Sequence, residues 1–393
     1  FLDEHGQVPK PGTIMKNPDL AKTLRLIAQH GSDIFYDGDI TDAIIQTVKQ
    51  PPLVNNPDYE AIDPNWHSFT EGLIIGSMTK DDFKQYDVAL REPTKITYRD
   101  YDIYGAPPVA CGGVTIGNAL NILEHYQLGQ LSRTQAIHYY LEALKLAFAD
   151  RSAYVGDETF VDLPIHGLLS KAYANERRQL IDDHQASQGQ ALAGNPWPYH
   201  DTSTAHHKVA VKSNLPNSET STIHHTVSDK DGNIVSFTNT ILAIGGSGIV
   251  VPDYGFLLNN MLFRVIPVNE PDHPDYPRPH MRPLSNMTPT IVMKENKPVL
   301  ALGSPGGETI MSTILQTLIN YLDFGMSLEE AIATPRLIQM NPVDGKTRYE
   351  HIFADHYKTP EGHNLLDELK KMGHEFAPDP KIQGVGSVTA IEF

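Results

Sequence analysis

An α/β fold is predicted by three features of this 393-residue chain. The first is a hairpin. Two runs rich in Thr, Val and Ile, residues 222–227 and 234–240, flank Asp231-Gly232, and an Asp-Gly step accepts the positive φ of a primed turn. The second is helical periodicity over residues 132–154, which places Ile137, Tyr140, Leu141, Leu144 and Phe148 on the inner face of a long amphipathic helix. The third is a strand pair, 290–293 and 298–302 around Lys294-Glu295-Asn296-Lys297. It runs into Gly306-Gly307 and a helix patterned by Ile310, Ile314, Leu318, Ile319 and Leu322 as far as Gly325.

The remaining elements follow in order. Asn17 is an N-cap with Pro18 at the first helical position, and Leu20, Leu24 and Ile27 give an amphipathic helix to Gly31. A second helix covers 41–48 and stops before Pro51-Pro52. Residues 97–104 read as one strand, and Gly112-Gly113 leads into a helix over 116–126. From 181 to 221 the chain turns polar and loses periodicity, as an exposed or disordered connector would. A proline-rich loop spans 267–283, Ser327 and Glu330 form a capping box, and 386–393 is a strand.

Bulk properties narrow the function. A 40% hydrophobic composition without a long apolar run predicts a globular chain with no membrane span. A formal charge of -17 argues against nucleic acid or an anionic membrane as partner, since both reward a basic surface. The one cysteine, Cys111, precludes an internal disulfide, and its apolar neighbours favour a buried inert thiol over a nucleophile. The chain opens at Phe1 with no signal-peptide pattern, and is read as a piece of a longer precursor.

Pairing around the hairpin turn returns Thr240 to the side of Thr222, so two hydroxyls meet. Thr pairs in strands are commonly structural, and the hairpin alone does not make this one catalytic. Gly306-Gly307 at a helix start offers free backbone amides to an anion. The Gly-Lys-Ser/Thr ending of a phosphate loop is missing and Glu308 would repel phosphate, which favours an oxyanion hole. His206-His207 and His224-His225 could suggest a metal, but adjacent histidines on a strand face opposite ways and nothing completes a ligand set. No metal or cofactor is expected.

The nucleophile segment of the γ-glutamyltranspeptidase family reads Thr-Thr/Ser-His, an apolar strand, then Asp-x-x-Gly-Asn-x-Val-Ser. Thr222, His224, Asp229, Gly232, Asn233, Val235 and Ser236 match it, and Ile223 departs from it. The chain further resembles the family at Tyr104-Gly105-Ala106-Pro107-Pro108 with Gly112-Gly113-Val114-Thr115, at Glu142 through Asp150-Arg151, at Arg282-Pro283-Leu284-Ser285 and at Gly303-Ser304-Pro305-Gly306-Gly307.

This resemblance implies a single four-layer αββα domain of the N-terminal-nucleophile type, with self-cleavage before Thr222. Residues 1–221 would be the large-subunit portion, 181–221 its polar connector, and 222–393 the small-subunit portion, the two staying associated. It further implies that Thr222 attacks an amide carbonyl, that Thr240 positions its hydroxyl, and that the Gly306 and Gly307 amides hold the oxyanion. Ser285 and Asn286 match the pair that bonds a substrate α-carboxylate, and a segment before Phe1 would carry a carboxylate-binding arginine. An extracellular or periplasmic location fits the family.

The substrate end departs from the pattern. Leu242, Met261 and Arg264 stand where γ-glutamyl transferases have polar and acidic groups, and Arg264 replaces the aspartate that pairs with a substrate ammonium. Arg264 would repel an ammonium and hold a carboxylate, unless it faces solvent. An internal γ-linked polyglutamate residue or a glutaryl group lacks the free amine. Polyglutamate depolymerase and cephalosporin (glutaryl) acylase activity are therefore alternatives to γ-glutamyl transfer, and a non-catalytic binding homologue is the alternative of another class.

Overall fold

The computed structural model describes residues 8–52, 75–200, 222–264, 271–339, 346–357, 364–382 and 386–393. The chain divides into two compact units, one of residues 1–89 and 245–259, the other of 90–244 and 260–393. In the first unit, helix α1 (Pro18–His30) begins as predicted, with the Asn17 side chain accepting from the Leu20 amide at 2.9 Å. Its buried position is Thr23, which donates to the Tyr254 carbonyl at 2.8 Å, while Leu24 is exposed. Helix α2 (Asp39–Lys49) contributes Ile40 and Ile44 to a small core with Phe83 and Val251.

The larger unit holds a five-stranded antiparallel sheet and the main core. Strands β1 (Thr94–Tyr98) and β2 (Tyr101–Gly105) form a hairpin where the sequence suggested one strand. The chain reverses at Arg99, whose φ of 54° is unusual without glycine. Tertiary contacts hold it there: the Arg99 amide donates to Glu124 Oε1 at 2.8 Å, and its guanidinium donates to Asp323.

Helix α3 (Gly112–Leu123) starts four residues earlier than expected, because Gly112 and Gly113 lie within its first turn. A Cβ on Gly113 would come within 2.3 Å of Thr94 Oγ1, so the glycine permits a close crossing of helix and strand.

Helix α4 (Arg133–Tyr154) corrects the amphipathic reading. It is buried on nearly every side, including Glu142, Lys145, Asp150 and Arg151. Lys145 pairs with Glu142 at 2.8 Å, and Arg177, from helix α5 (Lys171–Arg178), pairs with Asp150 at 3.1 Å. Internal partners make these charges tolerable inside, which periodicity cannot show.

Residues 181–200 are mostly exposed and carry little regular structure, as expected of the connector, but they are anchored at a few points. Ile181 and Ala186 are buried, the Ala186 amide donates to the Met372 carbonyl at 2.7 Å, and Tyr154 donates to the Gly194 carbonyl at 2.7 Å. The rest of the connector, with His206-His207 and Ser221, lies outside the described residues.

Strands β3 (Ile223–Ser228) and β4 (Ile234–Asn239) form the predicted hairpin. Its turn is longer than a two-residue Asp-Gly turn: Asp229 to Asn233 close it, Gly232 takes φ 86°, and the Asp229 carboxylate accepts from the amides of Asp231 and Asn233. Strands β5 (Thr290–Lys294) and β6 (Lys297–Gly303) turn at Glu295-Asn296, both at positive φ, as a primed turn requires.

Helix α6 (Ile310–Leu322) follows a single 3-10 turn, Gly307–Thr309. Helix α7 (Leu328–Ala333) carries the predicted capping box. Strands β7 (Leu337–Gln339), β8 (Thr347–Glu350) and β9 (Phe376–Ile382) make a three-stranded sheet that the sequence did not suggest, and helix α8 (Leu365–Lys371) joins the core. Strand β10 (Thr389–Glu392) completes the main sheet in the order β1-β2-β5-β6-β10. Among the described residues no helix is long and apolar enough to cross a membrane.

Candidate active site

Strand alternation decides what reaches the centre. With Ile223 opposite Asn239, Thr222 lies opposite Thr240, and their hydroxyl oxygens are 3.1 Å apart. Thr222 is only 8% exposed. Ile223, the departure from the family pattern, is 49% exposed and points to the other face, so it does not alter the surroundings of the hydroxyl pair. Thr240 Oγ1 also accepts from the Leu242 amide at 2.9 Å, which fixes one of its lone pairs.

Leu242 sits at φ 74°, a position that persists only when its surroundings enforce it. Here the Ala243 amide donates to Asn260 Oδ1 at 3.1 Å and the Asn260 amide donates to the Ile241 carbonyl at 3.2 Å. The turn carries Leu242 to the cleft beside Met261.

His224 faces inward, and His225 faces outward against the Phe237 ring. The His224 imidazole contacts Thr238 Oγ1 at 2.7 Å and Thr226 Oγ1 at 3.1 Å, and its ring lies against Gly303 of β6. Burial disfavours its charged form and lowers its pKa to about 4, so it is neutral near pH 7. Ser236 Oγ donates to the Leu302 carbonyl at 3.1 Å, and Thr389 Oγ1 donates to the His224 carbonyl at 3.2 Å. The β3–β4 hairpin is thus tied to β6 and β10. Among the described residues no group of three His, Cys, Asp or Glu side chains is placed to hold a metal.

Strand β6 ends at Gly303, and three residues later Gly306 takes φ 131° and Gly307 φ 57°. The Gly306 carbonyl accepts from both the amide and the hydroxyl of Thr309, at 3.1 and 2.9 Å. Gly307 lines a cleft of ≈ 20 Å³ with Thr222, Thr240, Leu242, Met261, Ser285, Asn286, Met287 and Ile310. That volume is about one water-sized group, enough for a reacting carbonyl oxygen. Gly306 is not among the lining residues.

Ser285 and Asn286 form a further wall of the cleft. The Ser285 carbonyl accepts from the Cys111 amide at 2.8 Å and from Cys111 Sγ at 2.9 Å. Asn286 Oδ1 accepts from Arg151 Nη2 at 2.6 Å, while Asn286 Nδ2 is buried without a partner among the described residues. Cys111 is fully buried, as expected, but it is also a hydrogen-bonding member of this wall. Arg151 was missed as a site residue. Its one sequence signal was its place at the end of the Glu142-to-Arg151 motif, which gave no role. Arg264 belongs to the 3-10 turn Met261–Arg264, and its side chain lies outside the described residues.

Of the seven predicted site residues, Thr222, Thr240, Ser285, Asn286 and Gly307 line one cleft, and Gly306 precedes Gly307 in the chain without being among the lining residues. A sequence model of the family described as Gamma-glutamyltranspeptidase matches residues 1–393. The chain is 37% identical over 395 residues to the glutathione hydrolase proenzyme of Bacillus subtilis (strain 168), covering 98% of this chain and 60% of that protein. It is 34% identical over 391 residues to the acylase ACY 1 proenzyme of Pseudomonas sp. (strain V22), covering 99% of this chain and 59% of that protein. Among solved structures it is similar to the cephalosporin acylase from Bacillus halodurans, with TM-score 0.78, 25% identity, and coverage of 99% of this chain and 60% of that one. The chain spans about 60% of the length of these relatives. With the motifs, the mixed α/β fold and a family match along its whole length in agreement, the chain belongs to the gamma-glutamyltranspeptidase family.

Proposed function

We propose that this chain carries the catalytic core of an amide hydrolase or transferase that works through an acyl-enzyme on Thr222. The 3.1 Å contact between the Thr222 and Thr240 hydroxyls, inside a cleft shared with Gly307 and Asn286, carries the reading. A threonine hydroxyl is a weak nucleophile and needs a base. Self-cleavage before Thr222 frees an α-amino group with an unperturbed pKa of roughly 7.7–8.0, which takes the hydroxyl proton as Oγ1 attacks the acyl carbonyl. Thr240 orients that oxygen. The amides of the Gly306-Gly307 turn donate to the oxyanion, the amine leaves with a proton, and water or a second amine then releases the acyl group.

In this reading residues 1–221 and 222–393 are the two portions of one αββα domain and stay together after the cut. A denaturing gel of the full-length protein tests it. Wild type splits into two bands at the bond between Ser221 and Thr222, whereas Thr222→Ala stays whole and loses amidase turnover by at least about 10³-fold. Self-cleavage or ordinary turnover by Thr222→Ala would remove Thr222 as nucleophile.

A second reading is favoured by Leu242 and Met261, which give the cleft an apolar side without a partner for an ammonium. It makes the preferred donor an N-capped or internal γ-glutamyl amide, or a glutaryl amide, rather than a free γ-glutamyl amide. On this reading kcat/KM is higher for the N-capped donor, and Arg264→Asp shrinks that advantage by exchanging a carboxylate partner for an ammonium partner. A wild-type preference for the free amine, or an unchanged ratio in Arg264→Asp, returns the ordinary γ-glutamyl transferase reading.

A further inference from the structure

We infer that residues 182–188 form an acid-released latch, closed over a buried pair of imidazoles, His138 and His374, that have no place for a further proton while it is shut. The inference goes beyond the acyl-transfer reading and does not depend on it. His138, Glu142 and Lys145 project from α4, His374 follows α8, and all four are buried. The segment is bonded to each part of this cluster. The Asp182 carbonyl is 2.7 Å from His138 Nε2, the Ser187 amide donates to Glu142 Oε2 at 3.0 Å, and Lys145 Nζ donates to the Ser187 carbonyl at 3.2 Å. It also reaches the turn that carries His374. There the Ala186 amide donates to the Met372 carbonyl at 2.7 Å, and Gln188 Nε2 donates to the Gly373 carbonyl at 3.1 Å. Because His374 comes after Thr222 and the other partners before it, the latch ties the two stretches of chain on either side of Thr222.

The hydrogen bonds assign every proton of the pair. A carbonyl only accepts, so His138 Nε2 carries a proton and donates to Asp182. A neutral His138 then accepts at Nδ1, and His374 Nε2 is the donor 2.8 Å away. His374 Nδ1 is left as a bare lone pair, buried without a partner among the described residues and 4.0 Å from Glu142 Oε1. A second proton on His138 would sit at Nδ1, against the proton of His374 Nε2. One on His374 would make a buried imidazolium beside a carboxylate that Lys145 already balances at 2.8 Å. Burial, with Lys145 and His138 adding to it, pushes the pKa of His374 down to about 2.

The other ionisable groups around the pair leave the interval from pH 7 to 5 to the imidazoles. Tyr139 donates to Asp183 Oδ1 at 2.9 Å, and its pKa is raised to about 12, first by burial. Asp182 Oδ1 accepts from the amides of His184 and Gln185, which hold its pKa below the ordinary carboxylate value. Glu368 of α8 accepts from Thr134, and His184 is exposed with the latch shut, so opening changes its surroundings little.

Within 182–188 only Ala186 is buried, so little apolar surface opposes local opening. Opening frees imidazoles of ordinary pKa near 6.5, and the open state then binds more protons than the closed one. Closure is intact above about pH 6.5 and is lost progressively below it. One imidazole raises the opening constant by up to about tenfold per pH unit, and both together by up to about a hundredfold.

Hydrogen exchange read by mass spectrometry over peptides covering 182–188 tests this on the full-length protein, with rates corrected for the intrinsic pH dependence of amide exchange. From pH 7 to 5 opening should rise by at least about tenfold, while peptides from α6 hold steady. His374→Gln keeps a donor towards His138 but cannot take the proton. It should open within about threefold of wild type at pH 7 and lose at least about half of the response on a logarithmic scale. His138→Gln, which keeps a donor towards the Asp182 carbonyl, should behave alike, and decides if His374→Gln fails to fold. A flat wild-type profile, a rise shared equally by α6, or a response intact in the glutamine variants overturns the latch. Slower exchange at pH 5 overturns it too, since an imidazolium would then be docked on Glu142. None of these readouts needs self-cleavage or turnover, so they stand apart from the role of Thr222.

Discussion

The two walls of the cleft are built in opposite ways. The Thr222 side is a hairpin whose key contact joins residues 18 positions apart, and its register follows from one turn. The Ser285-Asn286 side is held by Cys111 and Arg151, 174 and 135 positions away. A hairpin's alternation is decided within a few residues, so its facing hydroxyls can be read from sequence. A wall assembled from a helix, an N-terminal turn and a loop exists only after the core has closed around all three. The Thr222–Thr240 hydroxyl contact was therefore legible, and the Arg151–Asn286 contact was not.

Among variants that keep Thr222, the largest expected effect is at Gly307, which lines the same cleft. Its φ of 57° suits glycine, and Gly307→Val should force the amides away from the reacting oxygen, lowering kcat by about 10²–10³-fold. Labelling of Thr222 by an electrophilic acyl donor should persist, because the hydroxyl pair is untouched. If labelling and folding are lost together, the turn is a structural element and not an oxyanion device.

Gly303→Ala tests whether the hairpin is as self-sufficient as the comparison says. A Cβ there would lie 2.2 Å from the His224 ring, which hydrogen bonds hold in place. The expected cost is about 1–3 kcal/mol of stability, read as a lower melting temperature, with reduced turnover as the hairpin shifts off β6. An unchanged melting temperature and rate would show that the hairpin needs no seat on β6.

The smallest effect is at His224 and depends on pH. Its folded pKa of about 4 lies below the unfolded value near 6.5, so the unfolded chain binds the extra proton first. Its contribution is intact above about pH 6.5 and is lost as pH falls towards 4. In His224→Gln the decline of melting temperature over that window should be shallower than in wild type. His273, also near 4, keeps part of the slope in both proteins. Parallel curves would mean that His224 is not held neutral by burial.

The sequence by itself determined the pieces whose cause is local. These are the Asn17 and Ser327-Glu330 caps, the β3–β4 hairpin, the Glu295-Asn296 turn, and the glycine-led start of α6. Its motifs also determined the family. Only the tertiary structure decided that α4 is buried on nearly every side, that the chain reverses at Arg99, and that Ile181 and Ala186 anchor the polar segment after α5. It alone brought Arg151 to Asn286. The physical reason is the range of the interactions: caps, turns and strand alternation are set by backbone preferences over a few residues. A buried charge, a left-handed arginine or a polar segment laid on a core is stable only through partners that folding brings from far along the chain.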